Sequence, residues 1–109
     1  MILEVAQIRI RAGQGRPFEA AFRQAEPLLQ AQEGYVSHEL QRGLEQADRY
    51  MLLVRWRRLE DHTVGFRGSE RFQEWRRLLG PFFDGLPTVA HYQSLSGSNT
   101  AGPAQPALP

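Results

Sequence analysis

The chain is predicted to be one small α+β domain of order β-α-β-β-α-β. Three observations carry this reading: apolar runs with strand-like periodicity at both ends and in the middle, two segments with helical spacing between them, and glycine or proline at nearly every junction. At 109 residues the chain is too short for two halves that each keep a core.

Ile2 to Ile10, ILEVAQIRI, is rich in β-branched residues and is followed by Gly13 and Gly15, so it reads as a strand. Pro17 suits a first helical turn. Phe18, Ala21, Phe22, Ala25, Leu28 and Leu29 then recur at spacings of three and four, giving one apolar helix face. Pro27 removes the bond to the Arg23 carbonyl and should bend or end this helix nearby. Tyr35 to Gln41 and Arg49 to Trp56 form a hairpin around the turn-forming stretch Gly43 to Asp48.

Leu59, His62 and Phe66 share helical spacing, Gly68-Ser69 breaks the run with Ser69 as cap, and Phe72, Trp75, Leu78, Leu79, Phe82 and Phe83 continue an apolar face. Gly80-Pro81, Gly85 and Pro87 stop it, and Thr88 to Leu95 closes the sheet. The domain therefore spans residues 1–95. Ser96 to Pro109 has no aromatic residue, no charged side chain and three prolines, and is expected to be a disordered tail.

Composition excludes several classes. With 41% hydrophobic and 23% charged residues the chain is globular, and no apolar run reaches the roughly 20 residues of a membrane span. A net charge of +1, with acids interspersed among the arginines, speaks against nucleic-acid binding. The absence of cysteine removes disulfides, thiolate metal sites and cysteine nucleophiles. The acidic start Met1-Ile2-Leu3-Glu4 lacks the basic region of a signal peptide, so a cytoplasmic protein is expected.

A sheet covered by helices on one side should alternate apolar and polar residues. Here Leu3 and Val5 oppose Ala6, Ile8 and Ile10, while Leu52, Val54 and Trp56 oppose Met51 and Leu53, so both faces want cover. A second copy of the chain is the simplest cover, and a homodimer is expected. Arg55 interrupts this apolar strand and is read as paired, with Glu39 across the hairpin or with the partner chain, in preference to presenting its guanidinium to an anionic substrate.

The order of elements and the two-faced sheet resemble the ferredoxin-like dimeric α+β barrels, with an antiparallel four-stranded sheet. The run from Tyr50 to Tyr92 resembles the antibiotic biosynthesis monooxygenase family through Val54-Arg55-Trp56, Leu59-Glu60-Asp61-His62, Phe66-x-x-Ser69, Phe72-x-x-Trp75 and Val89-x-His91-Tyr92. The resemblance implies either a cofactor-free oxygenase acting on a quinol-like aromatic or a haem-degrading enzyme. The haem-degrading pattern is not met: Gln7 stands where that branch has a strand-one Asn, and its histidine ligand falls near Trp75 or Arg76. His62 lies about four helical turns too early to replace it. No cofactor and no metal are therefore expected.

The resemblance to the cofactor-free branch implies a substrate between sheet and helices. His62 is the candidate base, since a neutral imidazole suits deprotonation of a phenol. Equally, it could hydrogen-bond a carbonyl or cap the helix start. Phe66 and Trp75 are candidate walls, although aromatics at helical spacing also serve as plain core. Tyr35 and His38 are expected on opposite faces of their strand, with Tyr35 the candidate to close a pocket. The function implied is a monooxygenase oxidising a small phenolic or quinol-like aromatic; the alternative is a non-catalytic dimeric domain binding a small hydrophobic molecule.

Overall fold

The computed structural model describes residues 1–97; most of the expected tail, residues 98–109, lies outside them. Four strands form one antiparallel sheet in the order β2-β3-β1-β4, where β1 is Ile2–Arg9, β2 Tyr35–Arg42, β3 Arg49–Trp56 and β4 Thr88–Gln93. Helices α1 (Gly15–Gln30) and α2 (Glu70–Leu79) pack side by side on one face, and a wide π-helical turn, Asp61–Phe66, leads into α2.

The alternation in β1 and β3 decides which side is core. Glu4, Ala6 and Ile8 of β1 and Tyr50, Leu52, Val54 and Trp56 of β3 are buried under the helices. Phe18, Phe22, Ala25 and Leu29 of α1 and Trp75 and Leu79 of α2 complete the core. Phe22 and Phe66 each meet the Trp75 ring edge-on at 5.7 Å, a favoured aromatic arrangement.

Two local expectations shift. Regular pairing of β1 stops at Arg9, and the fully buried Ile10 bridges Phe83 instead. Helix α1 continues one turn beyond Pro27, its end closed by the Ala31 N–H donating to the Pro27 carbonyl at 3.0 Å. A proline inside a helix costs about 3 kcal/mol, but burying Leu29 returns about 1.5–3 kcal/mol, enough to hold the last turn in place. Ser69 caps α2 as its spacing implies, accepting from the Phe72 N–H at 3.2 Å.

Among the described residues nothing covers the opposite sheet face. Leu3, Val5 and Leu53 are half-buried there, while Met51, Val36 and Tyr92 are exposed. Arg55 is also on this face and exposed, which corrects its expected pairing with Glu39. Glu39 is registered opposite Leu53 and accepts from Gln41 at 2.8 Å, and among the described residues no acid lies within ion-pair distance of Arg55.

Candidate functional site

Glu4 is the acid in the middle of an apolar strand, and its inward parity places it beneath the π-helical turn, beside His91 of β4. The Trp56 indole N–H donates to Glu4 Oε1 at 2.9 Å, and His62 Nε2 lies 3.3 Å from the same oxygen. His62 Nδ1 stands 2.8 Å from His91 Nε2, and the His62 ring stacks on Trp56 with centroids 5.4 Å apart. In one set of tautomers His91 Nε2–H donates to His62 Nδ1, which leaves the His62 proton on Nε2, 3.3 Å from Glu4 Oε1.

The turn that carries His62 is wide because the Arg67 N–H reaches back five residues to the His62 carbonyl at 3.1 Å. Gly68 permits this close winding, since a Cβ there would sit 2.7 Å from the Val64 carbonyl oxygen. His62 and Phe66 are both buried as a result. Leu59 precedes the turn and is 39% exposed, so it does not share their face as the helical spacing suggested.

Burial sets the protonation of this row. Desolvation, with the Arg67 charge and His91 adding to it, pushes the His62 imidazole down to about 3. His91 is lowered by the same desolvation and by Arg67. Desolvation raises Glu4 above the ordinary carboxylate value, opposed by the Trp56 hydrogen bond and Arg67. Both histidines are thus neutral near pH 7. The row is linear, with the two nitrogens of His62 facing opposite neighbours, and among the described residues no three acids or histidines converge on a metal ion.

A cleft of about 950 Å³ opens between the inward face of β1 and β4 and helix α2. Ala6, Ile8, Leu52, Phe66, Trp75 and Leu79 give it apolar walls, and Glu4 supplies a carboxyl group among them. Arg67, Arg76 and Arg77 stand along its helical side. The volume matches small-molecule sites, which run to about 1,000 Å³.

Of the residues singled out in the sequence, Phe66 and Trp75 line this cleft; His62 stands behind its wall and reaches it through Glu4. Tyr35 is elsewhere, at the opposite edge of the sheet. Val36 is an extra residue between the paired positions Tyr35 and Ser37, a bulge that turns Tyr35 and His38 to the same face instead of opposite ones. There the Tyr35 hydroxyl meets His38 Nδ1 at 2.5 Å and His38 Nε2 meets Glu26 at 2.6 Å, tying β2 to α1. Gln7 has outward parity on β1 and is exposed, away from the cleft.

Glu4 and Arg67 escaped the sequence reading. Glu4 had a usable signal, since it shares strand parity with Ala6, Ile8 and Ile10 and so had to be a carboxylate on the core side. Arg67 had none, because its approach to Glu4 and His62 follows from the π-helical turn.

The sequence profile of the antibiotic biosynthesis monooxygenase family matches residues 1–78. An uncharacterized Bacillus subtilis (strain 168) protein, YczJ, is 46% identical over 95 residues, covering 87% of this chain and all of the relative. A Bordetella bronchiseptica structure assigned to the antibiotic biosynthesis monooxygenases superposes with a TM-score of 0.84 at 40% identity, covering 87% of this chain and 97% of that one. SnoaB, a cofactor-independent oxygenase from Streptomyces nogalater, shares the fold with a TM-score of 0.77 at 16% identity, covering 88% of this chain and 94% of its own. With its profile matched over most of its length and close relatives covered almost end to end, this chain belongs to the antibiotic biosynthesis monooxygenase family.

Proposed function

We propose that the protein is a cofactor-independent monooxygenase that oxidises a small phenolic or quinol-like aromatic in the cleft between sheet and α2. The observation that carries this reading is a single carboxyl group, Glu4, set among apolar and aromatic walls, accepting from the Trp56 indole N–H with His62 Nε2 3.3 Å behind it. Such a wall holds a flat hydrophobic ring and offers one place to put its proton.

In this reading Glu4 contacts the substrate and takes the phenolic proton. His62, whose own basicity is depressed, positions the carboxylate. The phenolate passes one electron to dioxygen, and the resulting radicals join at the ring carbon para to the hydroxyl as a peroxide. Loss of the ring C–H proton with cleavage of the O–O bond leaves a quinone carbonyl. One oxygen atom is retained, and the other leaves as water with the two substrate hydrogens.

The test is oxygen uptake with a panel of dihydroxynaphthalenes and quinols. Glu4→Gln should lower the rate about 10²–10⁴-fold, the usual contribution of a positioned base. His62→Ala should lower it less and shift the pH profile. Equal rates in wild type and Glu4→Gln would overturn the assignment. The apolar walls alone support the second reading, a domain that binds a small hydrophobic molecule without reaction; binding of the panel with no oxygen uptake selects it.

The same reading includes a cytoplasmic homodimer closed by the sheet face that the described residues leave uncovered, where Leu3, Val5, Leu53 and Met51 want a partner. A lasting interface buries on the order of 1,000 Å² or more. Light scattering at micromolar concentration should give twice the 12.4 kDa chain mass, and a monomer at that concentration would sink the dimer.

A further inference from the structure

The cleft is unequal in charge. Its one acid, Glu4, is buried against β3, whereas its α2 side carries Arg67, Arg76 and Arg77. Arg77 is already committed to Glu74 through two hydrogen bonds, at 2.6 and 2.5 Å. Arg67 and Arg76 are exposed, and among the described residues neither has an acid within ion-pair distance. Arg76 lies over the Phe72 ring at 6.0 Å, which holds its guanidinium beside an aromatic wall of the cleft.

Two guanidinium groups that line an apolar cleft and carry no ion-paired acid among the described residues favour a carboxylate or another planar anion there. Resting on the reading above, we infer that the substrate is an aromatic acid whose phenolic end faces Glu4 and whose anionic group is held by Arg67 and Arg76. The two ends of the molecule then differ. A hydroxyl approaches the carboxyl wall, an anion is repelled from it and drawn to the arginines, and the ring enters in one orientation only. Arg67 and Arg76 are thus specificity-determining residues.

Two naphthols of the same ring size separate the anion from the ring. Binding of 6-hydroxy-2-naphthoate and of uncharged 2-naphthol, followed by quenching of tryptophan fluorescence or by calorimetry, should differ at least about tenfold in Kd in favour of the acid, the scale of one hydrogen bond to a charged group. That preference should shrink as salt is raised and disappear in Arg67→Gln/Arg76→Gln. Equal Kd values for the two naphthols in wild type, or a preference that survives the double substitution, would overturn the inference while leaving the aromatic site intact. Failure of wild type to bind either naphthol would remove the site itself, and the proposed function with it.

Discussion

Replacing Gly34 with alanine should destabilise the protein by about 3–5 kcal/mol and lower its melting temperature by roughly 15 °C or more. Two costs add. Gly34 has a φ of +84°, which a residue with a side chain adopts only under strain, and a Cβ there would fall 2.0 Å from Asp61 Oδ2 and 2.2 Å from its Cγ. The carboxylate cannot swing aside freely, because Asp61 is buried and accepts from the Arg58 N–H at 3.2 Å. Gly13 supplies the control: its φ is +78° and a Cβ there would meet nothing within 4 Å, so Gly13→Ala should cost only the conformational share, about 1–2 kcal/mol. Urea denaturation of both variants measures the difference, and equal losses would refute the contact with Asp61. Asp61 opens the turn that carries His62, so any surviving Gly34→Ala protein should also show weakened function at the cleft.

The second large effect is the dependence of stability on pH. His62 is neutral in the folded chain down to about pH 3, whereas in the unfolded chain it takes up a proton near 6.5. Its contribution is therefore fully present above pH 6.5 and is lost as pH falls, at about 1.4 kcal/mol per pH unit. Glu4 acts with the opposite sign. Its raised value makes the folded chain the better proton acceptor, so its contribution is full below the ordinary 4.5 and is lost as pH rises through the folded value. The two partly cancel in the wild-type profile just above pH 4.5, and below it only the histidine slope remains. Comparison with His62→Gln isolates that slope: the stability difference between wild type and variant should narrow by about 3 kcal/mol between pH 7 and pH 4. Parallel stability curves for the two proteins across that range would show that His62 is not held neutral by burial.

Much of the fold was legible because it rests on local periodicity. The apolar spacing of Phe18, Phe22, Ala25 and Leu29 places α1, and the alternation of Leu52, Val54 and Trp56 places β3, before any tertiary contact is known. The candidate site was legible only in pieces. Phe66 and Trp75 announced themselves as inward aromatics, whereas the opposite-face reading of Tyr35 and His38 failed on one inserted residue, since a bulge resets strand parity and leaves no mark in a short polar strand. The pairing of Arg55 with Glu39 failed for a related reason. A charge inside an apolar run looks buried, but its parity puts it on the face that the described residues leave uncovered.

What the sequence by itself determined is the order of the six elements, the apolar face of each helix, and the presence of apolar residues on both faces of β1 and β3, because periods of 2 and 3.6 are written residue by residue. Only the tertiary structure decided which polar groups meet. Glu4, Trp56, His62 and His91 come from three strands and a widened helical turn, and their contact depends on strand register and on five-residue winding at Arg67. Those are properties of pairing and burial, which set both the neutral histidines and the charge asymmetry of the cleft, and no local pattern along the chain encodes them.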